Sequence, residues 1–324
     1  MDYKISSRNA HVDYVVDEHV SIKMKTGEAW KSYAPVAILL LVIIGLTVWS
    51  FISGTATREG LPSINLLSGT LLIIVGLVAG LIGGIIGTGG CSVMLPILHF
   101  WLGFPAPIAI GTTLFAVIFT AVSGGYGHLV HGNVDKRAML WLGGFGMIGV
   151  IFGSWLFIQL TAQISLLGLI LGLVFLWPAI RMIWESHARR KELKEGNIIP
   201  GSKFGKGIFG FIVGILTGVV GLGGGYAFVP GMIYLFGAPV YITMGTSLAT
   251  IIPLAVVGGS IKLAQGFVFL GAGLILAAGT IIGAQVAVAI IRRFKPTTLK
   301  LIFGLYFLYV SMKFVTAYFG IMIW

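Results

Sequence analysis

Two glycine-rich stretches decide the fold: GLIGGIIGTGG at residues 80–90 and GILTGVVGLGG at residues 214–224. They lie 134 positions apart, and the similarity continues at that spacing without a gap. Further pairs at the same spacing are Pro96 and Pro230, Gly103 and Gly237, Pro105 and Pro239, and the triplets 111–113 and 245–247. A register kept over so many positions indicates an internal duplication. The sequence therefore predicts two repeats, residues 66–184 and 207–322.

The surrounding composition is that of a membrane protein. Of 324 residues, 57% are hydrophobic and only 10% are charged, whereas soluble domains carry about 25% charged residues. This composition excludes a soluble enzyme, a disordered chain and a nucleic-acid binder. The single cysteine, Cys91, excludes a disulfide framework and a multi-cysteine zinc site. We expect an all-α polytopic membrane protein that needs no metal and no other cofactor.

The apolar runs predict how the chain crosses the bilayer. A span needs about 20 apolar residues, and the glycine-rich stretches interrupt the runs at 66–103 and 205–237. Because the second arm of each interrupted run has only about 12 residues, we favour re-entrant hairpins over two full crossings. The prediction is about seven full spans plus two re-entrant helical hairpins. One of these spans, residues 34–53, is an extra signal anchor that follows a polar arm at residues 1–33.

Charge placement predicts that the two repeats have inverted topology. In repeat one the loop at 131–137 is basic and the loop at 159–165 is uncharged. In repeat two the equivalent loop at 265–269 is uncharged and the next one, 292–300, is strongly basic. Because basic loops stay in the cytoplasm, equivalent loops face opposite sides. The basic loop at 185–206 is then cytoplasmic, and we expect the cell (inner) membrane, with the N-terminus cytoplasmic and the C-terminus outside.

The acidic residues exclude one class of transported ion. All ten Asp and Glu lie in the N-terminal arm, in loops or at span ends, so no carboxylate falls inside a predicted span. A cation pathway normally needs such carboxylates, whereas an anion pathway does not. The sequence therefore favours a small anionic substrate, with the lipid bilayer as the surrounding partner and no nucleic acid.

The hairpin tips carry the candidate binding residues. Glycine allows positive φ and close backbone approach, and the N–H groups at the start of each second arm attract negative charge. Glycines that only permit tight helix packing, hydroxyls that only cap helices, and an inert buried thiol are the alternatives. The candidate substrate-binding residues are Gly89, Gly90, Cys91, Thr112, Thr113, Gly223, Gly224, Gly225, Thr246 and Ser247.

A second group of residues could gate the path or couple transport to protons. Lys262 matches His128 at the repeat spacing, and Gln265 matches His131. These side chains could attract an anion on opposite faces, or they could be interfacial residues that extend towards water. His99, on the short second arm, is either a packed imidazole or a proton carrier.

These features together resemble one family. An inverted pair of glycine-rich membrane repeats, each with a G-x-x-G-x-G-G tip, a following proline and a G-T-[ST] triplet, is similar to the TauE/SafE sulfite exporter family. The resemblance covers about residues 66–320. It implies a permease for small sulfur-containing anions such as sulfite or organosulfonates, often acting in export. The site that it implies consists of Gly89, Gly90, Thr112, Thr113, Gly223, Gly224, Thr246 and Ser247.

Two departures accompany this resemblance. The first tip has Cys91 where the second has Gly225, and an extra span precedes the repeats. We expect a transporter that works by alternating access between the two glycine-rich hairpin tips. The alternatives are an anion channel and a membrane-embedded scaffold or enzyme, although the spans offer an enzyme neither a carboxylate pair nor a metal cluster.

Overall fold

The computed structural model describes residues 26–55, 57–187, 196, 198–290 and 296–321. Its helices are α1 (Thr26–Ile52), α2 (Leu66–Ile86), α3 (Cys91–Pro96, continued by a π-helix at Ile97–Trp101), α4 (Ala106–Val130), α5 (Lys136–Thr161), α6 (Ile164–His187), α7 (Lys203–Val220), α8 (Gly225–Leu235), α9 (Val240–Ala264), α10 (Leu270–Ile290) and α11 (Pro296–Tyr318). Most of the N-terminal arm, and most of the charged residues of the loops at 185–206 and 292–300, lie outside the described residues.

The described part of the chain is helical and has eight helices long and apolar enough to cross a membrane. Six of them (α1, α4, α5, α6, α9 and α10) coincide with predicted full spans. The other two are α2 and α7, the first arms of the two predicted hairpins, while α3 and α8 are shorter apolar helices. The all-helical membrane architecture is therefore confirmed, and the number of re-entrant hairpins stays a prediction.

Helix packing shows that the two repeats are intertwined. Helix α2 packs along α10, and its counterpart α7 packs along α5, so each repeat's first helix lies against the other repeat's third long helix. Two further pairs, α4 with α9 and α6 with α11, bring equivalent helices together. Exchanging the repeats interchanges the pairs α2–α10 and α7–α5 and maps each of the other two pairs onto itself. Helix α1 packs on α10 and has no counterpart in the second repeat.

The directions of the helices fit inverted repeats. A Cβ placed on Gly124 of α4 would lie 3.3 Å from Leu248 of α9, and one placed on Gly258 would lie 2.9 Å from Leu114. Early residues of one helix thus face late residues of the other, and the two equivalent helices are antiparallel. Equivalent antiparallel helices are related by a two-fold axis perpendicular to them, which is the arrangement of inverted repeats.

Helix directions also explain the short arm α3. Helix α2 runs parallel to α10, since Gly76 faces Gly279 and Gly84 faces Ala284. Helix α4 is parallel to α10 as well, because Gly127 faces Val288 and Thr112 bonds to the residue that precedes α10. Because α2 and α4 run in the same direction, the segment between them, which contains α3, has to return the chain to the face at which α2 begins.

A buried acid that sequence analysis assigned to a loop ties the repeats together. The Asp135 carboxylate accepts the N–H groups of Arg137 and Ala138 at the start of α5. It also accepts the N–H of Ile199 at 2.8 Å, and Lys206 donates to the Ile199 carbonyl at 2.6 Å. The segment between the repeats is thereby fixed against the start of α5.

Glycine at the helix interfaces gives a first testable prediction. A Cβ on Gly80 would contact the Thr280 carbonyl and lie 2.7 Å from Thr280 Cα, whereas one on Gly144 would meet nothing within 4 Å. Gly80→Ala should therefore lower the free energy of unfolding by about 1–3 kcal/mol, because backbone cannot move aside. Gly144→Ala, the matched control, should not lower it. Thermal unfolding in detergent measures both, and equal stabilities would contradict the described interface.

Candidate functional site

The two glycine-rich tips meet near the centres of α4 and α9. A Cβ on Gly89 would lie 3.2 Å from Val117, and one on Gly223 would lie 3.1 Å from the same side chain. Both would also lie within 4 Å of Ile251. Val117 and Ile251 are equivalent positions of the two repeats and lie near the middle of their helices. The tips therefore converge where the two-fold axis passes, far from both ends of the spans.

Both tips have the backbone conformation that the motif predicts. In each of them three glycines have positive φ, a conformation that side chains rarely adopt. The last of the three immediately precedes the short helix α3 or α8. The six glycines are Gly87 (83°), Gly89 (78°), Gly90 (79°), Gly221 (71°), Gly223 (69°) and Gly224 (81°).

Cys91 connects the tips, and its position explains why the repeats differ there. The Cys91 thiol donates a hydrogen bond to the Leu222 carbonyl of the other tip. At the equivalent place a Cβ on Gly225 would contact Thr88 Cα and lie 2.7 Å from the Gly87 carbonyl oxygen. The tips interlock so closely that only one of the two positions can hold a side chain.

Three buried hydroxyls near the tips have no hydrogen-bond partner in the structure: those of Thr88, Ser92 and Tyr226. Ser92 and Tyr226 are equivalent residues in the first turns of α3 and α8. A buried hydroxyl without a partner costs about 1–3 kcal/mol, so these groups are available to a polar ligand. Sequence analysis did not select them, although two hydroxyl residues at the repeat spacing directly after the tips would have identified them.

The hydroxyls of the G-T-[ST] triplets make structural contacts. Thr112 accepts the N–H of Phe269, and Thr246 accepts that of Asp135, each at 2.9 Å. Both bonds hold the start of a helix in the other half of the molecule. Thr113 donates to carbonyls of its own helix. These three hydroxyls already have partners within the protein, so a role for them in binding substrate stays a prediction.

Ser247 is the exception among the triplet hydroxyls. It donates to the Gly87 carbonyl at 2.7 Å and so attaches the first tip to α9. Its equivalent, Thr113, bonds within α4 instead. This hydrogen bond holds the first tip to α9. Thr113 makes no equivalent side-chain bond to a residue of the second tip.

The candidate gate residues His128 and Lys262 are buried in the last turns of α4 and α9. Because these helices are antiparallel, the two residues lie towards opposite faces. Nε2 of His128 is 3.5 Å from the Gly84 carbonyl oxygen, and Nδ1 has no partner. The Lys262 ammonium has no hydrogen-bond acceptor and lies 3.0 Å from the centre of the Phe157 ring.

The other candidate gate residues occupy different surroundings. His131 bonds to the Gly127 carbonyl at 2.7 Å, and the side-chain oxygen of Gln265 is buried without a partner. His99 bonds to the Phe104 carbonyl at 2.8 Å and stacks on Phe314 with ring centres 5.6 Å apart. These contacts favour a packing role for His99.

Acids and metal-ligand groups are scarce in the part of the chain that the structure describes. Its one buried carboxylate is Asp135, at the start of α5. No three His, Cys, Asp or Glu among the residues searched there come close enough together to hold a metal ion. The polar groups at the tips are therefore hydroxyls, a thiol and backbone N–H groups, which are neutral donors.

Comparison with known proteins agrees with this architecture. The family model described as Sulfite exporter TauE/SafE matches residues 72–314. YdhB of Bacillus subtilis, named a probable membrane transporter protein, is 30% identical over 230 residues, which are 71% of this chain and 93% of that protein. A probable membrane transporter protein of Methanocaldococcus jannaschii is 26% identical over 246 residues, 71% of this chain and 89% of that protein.

YunE of Bacillus subtilis, also named a probable membrane transporter protein, is 26% identical over 257 residues, covering 73% of this chain and 93% of that protein. No solved structure gives a significant match. The names of these relatives do not specify a substrate.

The triplet hydroxyls give the second prediction. Thr112→Val leaves the buried N–H of Phe269 without an acceptor, which should lower the free energy of unfolding by about 1–3 kcal/mol. Ser92→Ala removes a hydroxyl that has no partner, so it should not lower that free energy. Thermal unfolding of the two variants in detergent distinguishes the roles. A destabilised Ser92→Ala together with an unaffected Thr112→Val would contradict the assignment.

Proposed function

This chain belongs to the sulfite exporter TauE/SafE family and is a multi-pass membrane transporter, and on that basis we propose that it transports a small sulfur-containing oxyanion or organosulfonate. The proposed site is the contact between the tips, formed by Gly89, Gly90, Cys91, Gly223, Gly224 and Gly225. To these we add the unpartnered hydroxyls of Thr88, Ser92 and Tyr226. Protons are a candidate coupling ion.

One observation carries the proposal: Ser92 and Tyr226 present unpartnered hydroxyls from equivalent places next to the tip contact. A sulfonate or sulfite group carries several acceptor oxygens and no strong donor. Donors from both repeats could therefore bind one such group between them. Charge-assisted hydrogen bonds of this kind are roughly twice as strong as neutral ones.

Local electrostatics supports an anion at the same place. Helix α8 begins directly after Gly224 and runs for 11 residues, so its N-terminal N–H groups and its dipole favour negative charge near the second tip. Asp135, the buried acid of the described residues, lies at the start of α5 and not beside the tips. A cation would find no carboxylate ligand there.

The tip contact also supports alternating access rather than a channel. The tips touch through their backbones, because the main chain of Thr88 lies where a Cβ at position 225 would be. Transport then requires the tips to separate, and the Cys91 bond to Leu222 is one contact that has to break. The alternatives of an enzyme or a scaffold have no comparable support, since the named relatives are transporters.

The orientation proposal rests on the basic loops: a cytoplasmic N-terminus and an outside C-terminus in the inner membrane. A fluorescent protein that folds only in the cytoplasm should be dark when fused after Trp324. Alkaline phosphatase, which matures only outside, should be active at the same position. Both reporters should behave oppositely when fused before Met1. A fluorescent C-terminal fusion with inactive phosphatase would contradict this orientation.

Reconstituted flux tests the proposed function. In proteoliposomes the protein should give saturable flux of at least one of sulfite, thiosulfate, sulfoacetate, taurine and sulfate. Ser92→Ala and Tyr226→Phe should each reduce flux about tenfold, because each removes a hydrogen bond to a charged ligand. Thr70→Val is the control, because Thr70 is exposed and bonds only within its own helix. The proposal fails if none of the five anions shows saturable flux.

A further inference from the structure

Lys262 has surroundings unlike those of an interfacial anchor. It is on the last turn of α9 and is 0% exposed. Its ammonium faces the Phe157 ring at 3.0 Å and has no hydrogen-bond acceptor. A lysine that serves as an anchor extends its amine towards water or lipid head groups. Lys262 instead keeps its amine inside the protein without a hydrogen-bond acceptor, where a charge without a counter-ion is strongly destabilising.

Two more polar groups lie at the same end of α9. The side-chain oxygen of Gln265 is buried without a partner, so its amide is free to turn towards a ligand. The guanidinium of Arg58, in the segment between α1 and α2, donates to the Gly266 carbonyl at 2.6 Å. The neighbouring acid, Glu59, is exposed. A buried cation, an amide and an exposed cation therefore surround one end of a membrane helix.

Among the described residues, the symmetry-related end of the α4–α9 pair has no such buried cation. The residue equivalent to Lys262 is His128, whose Nε2 is 3.5 Å from the Gly84 carbonyl oxygen. The residue equivalent to Gln265 is His131, which bonds to the Gly127 carbonyl. Only one end of the α4–α9 pair thus holds a buried lysine without a partner.

We propose that Lys262 forms a second anion site on the transport path, at the end of α9, where the substrate rests before or after it occupies the tips. This inference rests on the proposed function, because its ligand is the same sulfur-containing anion. The site lies 11 residues from Ile251, which is roughly 16 Å along the helix. That distance separates it from the tip contact. The anion supplies the counter-charge of the ammonium, and the Gln265 amide donates to a second oxygen.

The proposal predicts opposite effects of one substitution on stability and on transport. Lys262→Met keeps an unbranched side chain one atom shorter and removes a buried amine that has no hydrogen-bond acceptor, so the melting temperature should rise. The same variant should raise KM for flux about tenfold, because it removes the charge that binds the anion. A lysine with a purely structural role would instead lower the melting temperature when replaced, and KM would not change.

The experiment measures flux and thermal unfolding of the full-length protein, with sulfite, thiosulfate, sulfoacetate, taurine and sulfate tested in turn. Lys313→Met is the matched control, since Lys313 lies on α11 of the second repeat and contacts Tyr309 and Phe100. Its KM should equal that of the unchanged protein. Lys262→Arg, which keeps the charge, should leave KM within about threefold.

Two results would overturn the inference: a KM for Lys262→Met equal to that of the unchanged protein, or a KM for Lys262→Arg as high as that for Lys262→Met. If Lys262→Met does not purify as a folded protein, Lys262→Gln takes its place under the same criteria. Absence of saturable flux in the unchanged protein would overturn the proposed function itself. The two failures are therefore distinguishable.

Discussion

The two glycine-rich tips touch each other through their backbones between the centres of α4 and α9. The rest of the structure depends on this contact. The loops approach so closely that a Cβ on Gly225 would occupy the place of Thr88 Cα. Glycine is required at position 225 because it has no side chain, and the glycines before it at 221, 223 and 224 have the positive φ that side chains rarely adopt. The same contact closes the path between the two faces and places neutral donors of both repeats around one point.

Intertwined packing follows from the duplication. Each repeat's first helix packs along the other repeat's third long helix, so neither repeat can bury its tip alone. The two repeats depart from exact two-fold symmetry at three side chains that have no equivalent contact in the other repeat. Cys91 bonds to the opposite tip, Ser247 holds one tip to α9, and Lys262 lacks the backbone contact that His128 has. A two-fold scaffold with unequal ends is what a directional transporter would need.

Sequence analysis predicted the repeats and the tip conformation because a constant repeat spacing and clusters of glycine are visible in the sequence itself. It could not distinguish hydroxyl residues that make structural hydrogen bonds from those that are left free to bind a ligand. Thr112 bonds to Phe269, a partner 157 positions away, and Asp135 bonds to Ile199 of the segment between the repeats. Such partners depend on tertiary packing, which no local pattern encodes. Ser92 and Tyr226 were not selected because single hydroxyl residues are common, although they lie at the repeat spacing directly after the tips. Their burial without a partner is visible only in the structure.

The central claim is that the tips must separate for transport, and a reversible cross-link between them tests it most directly. A Cβ on Gly223 would lie 3.6 Å from the Cys91 sulfur, so Gly223→Cys can form a disulfide with the native cysteine. The flux of the reduced variant is the reference, because a side chain at this positive φ is strained. Oxidation should abolish the flux of sulfoacetate or sulfate, used because sulfite cleaves disulfides, and a reductant should restore it. Gly223→Cys combined with Cys91→Ala should be insensitive to oxidation. Undiminished flux through fully cross-linked protein would contradict the account.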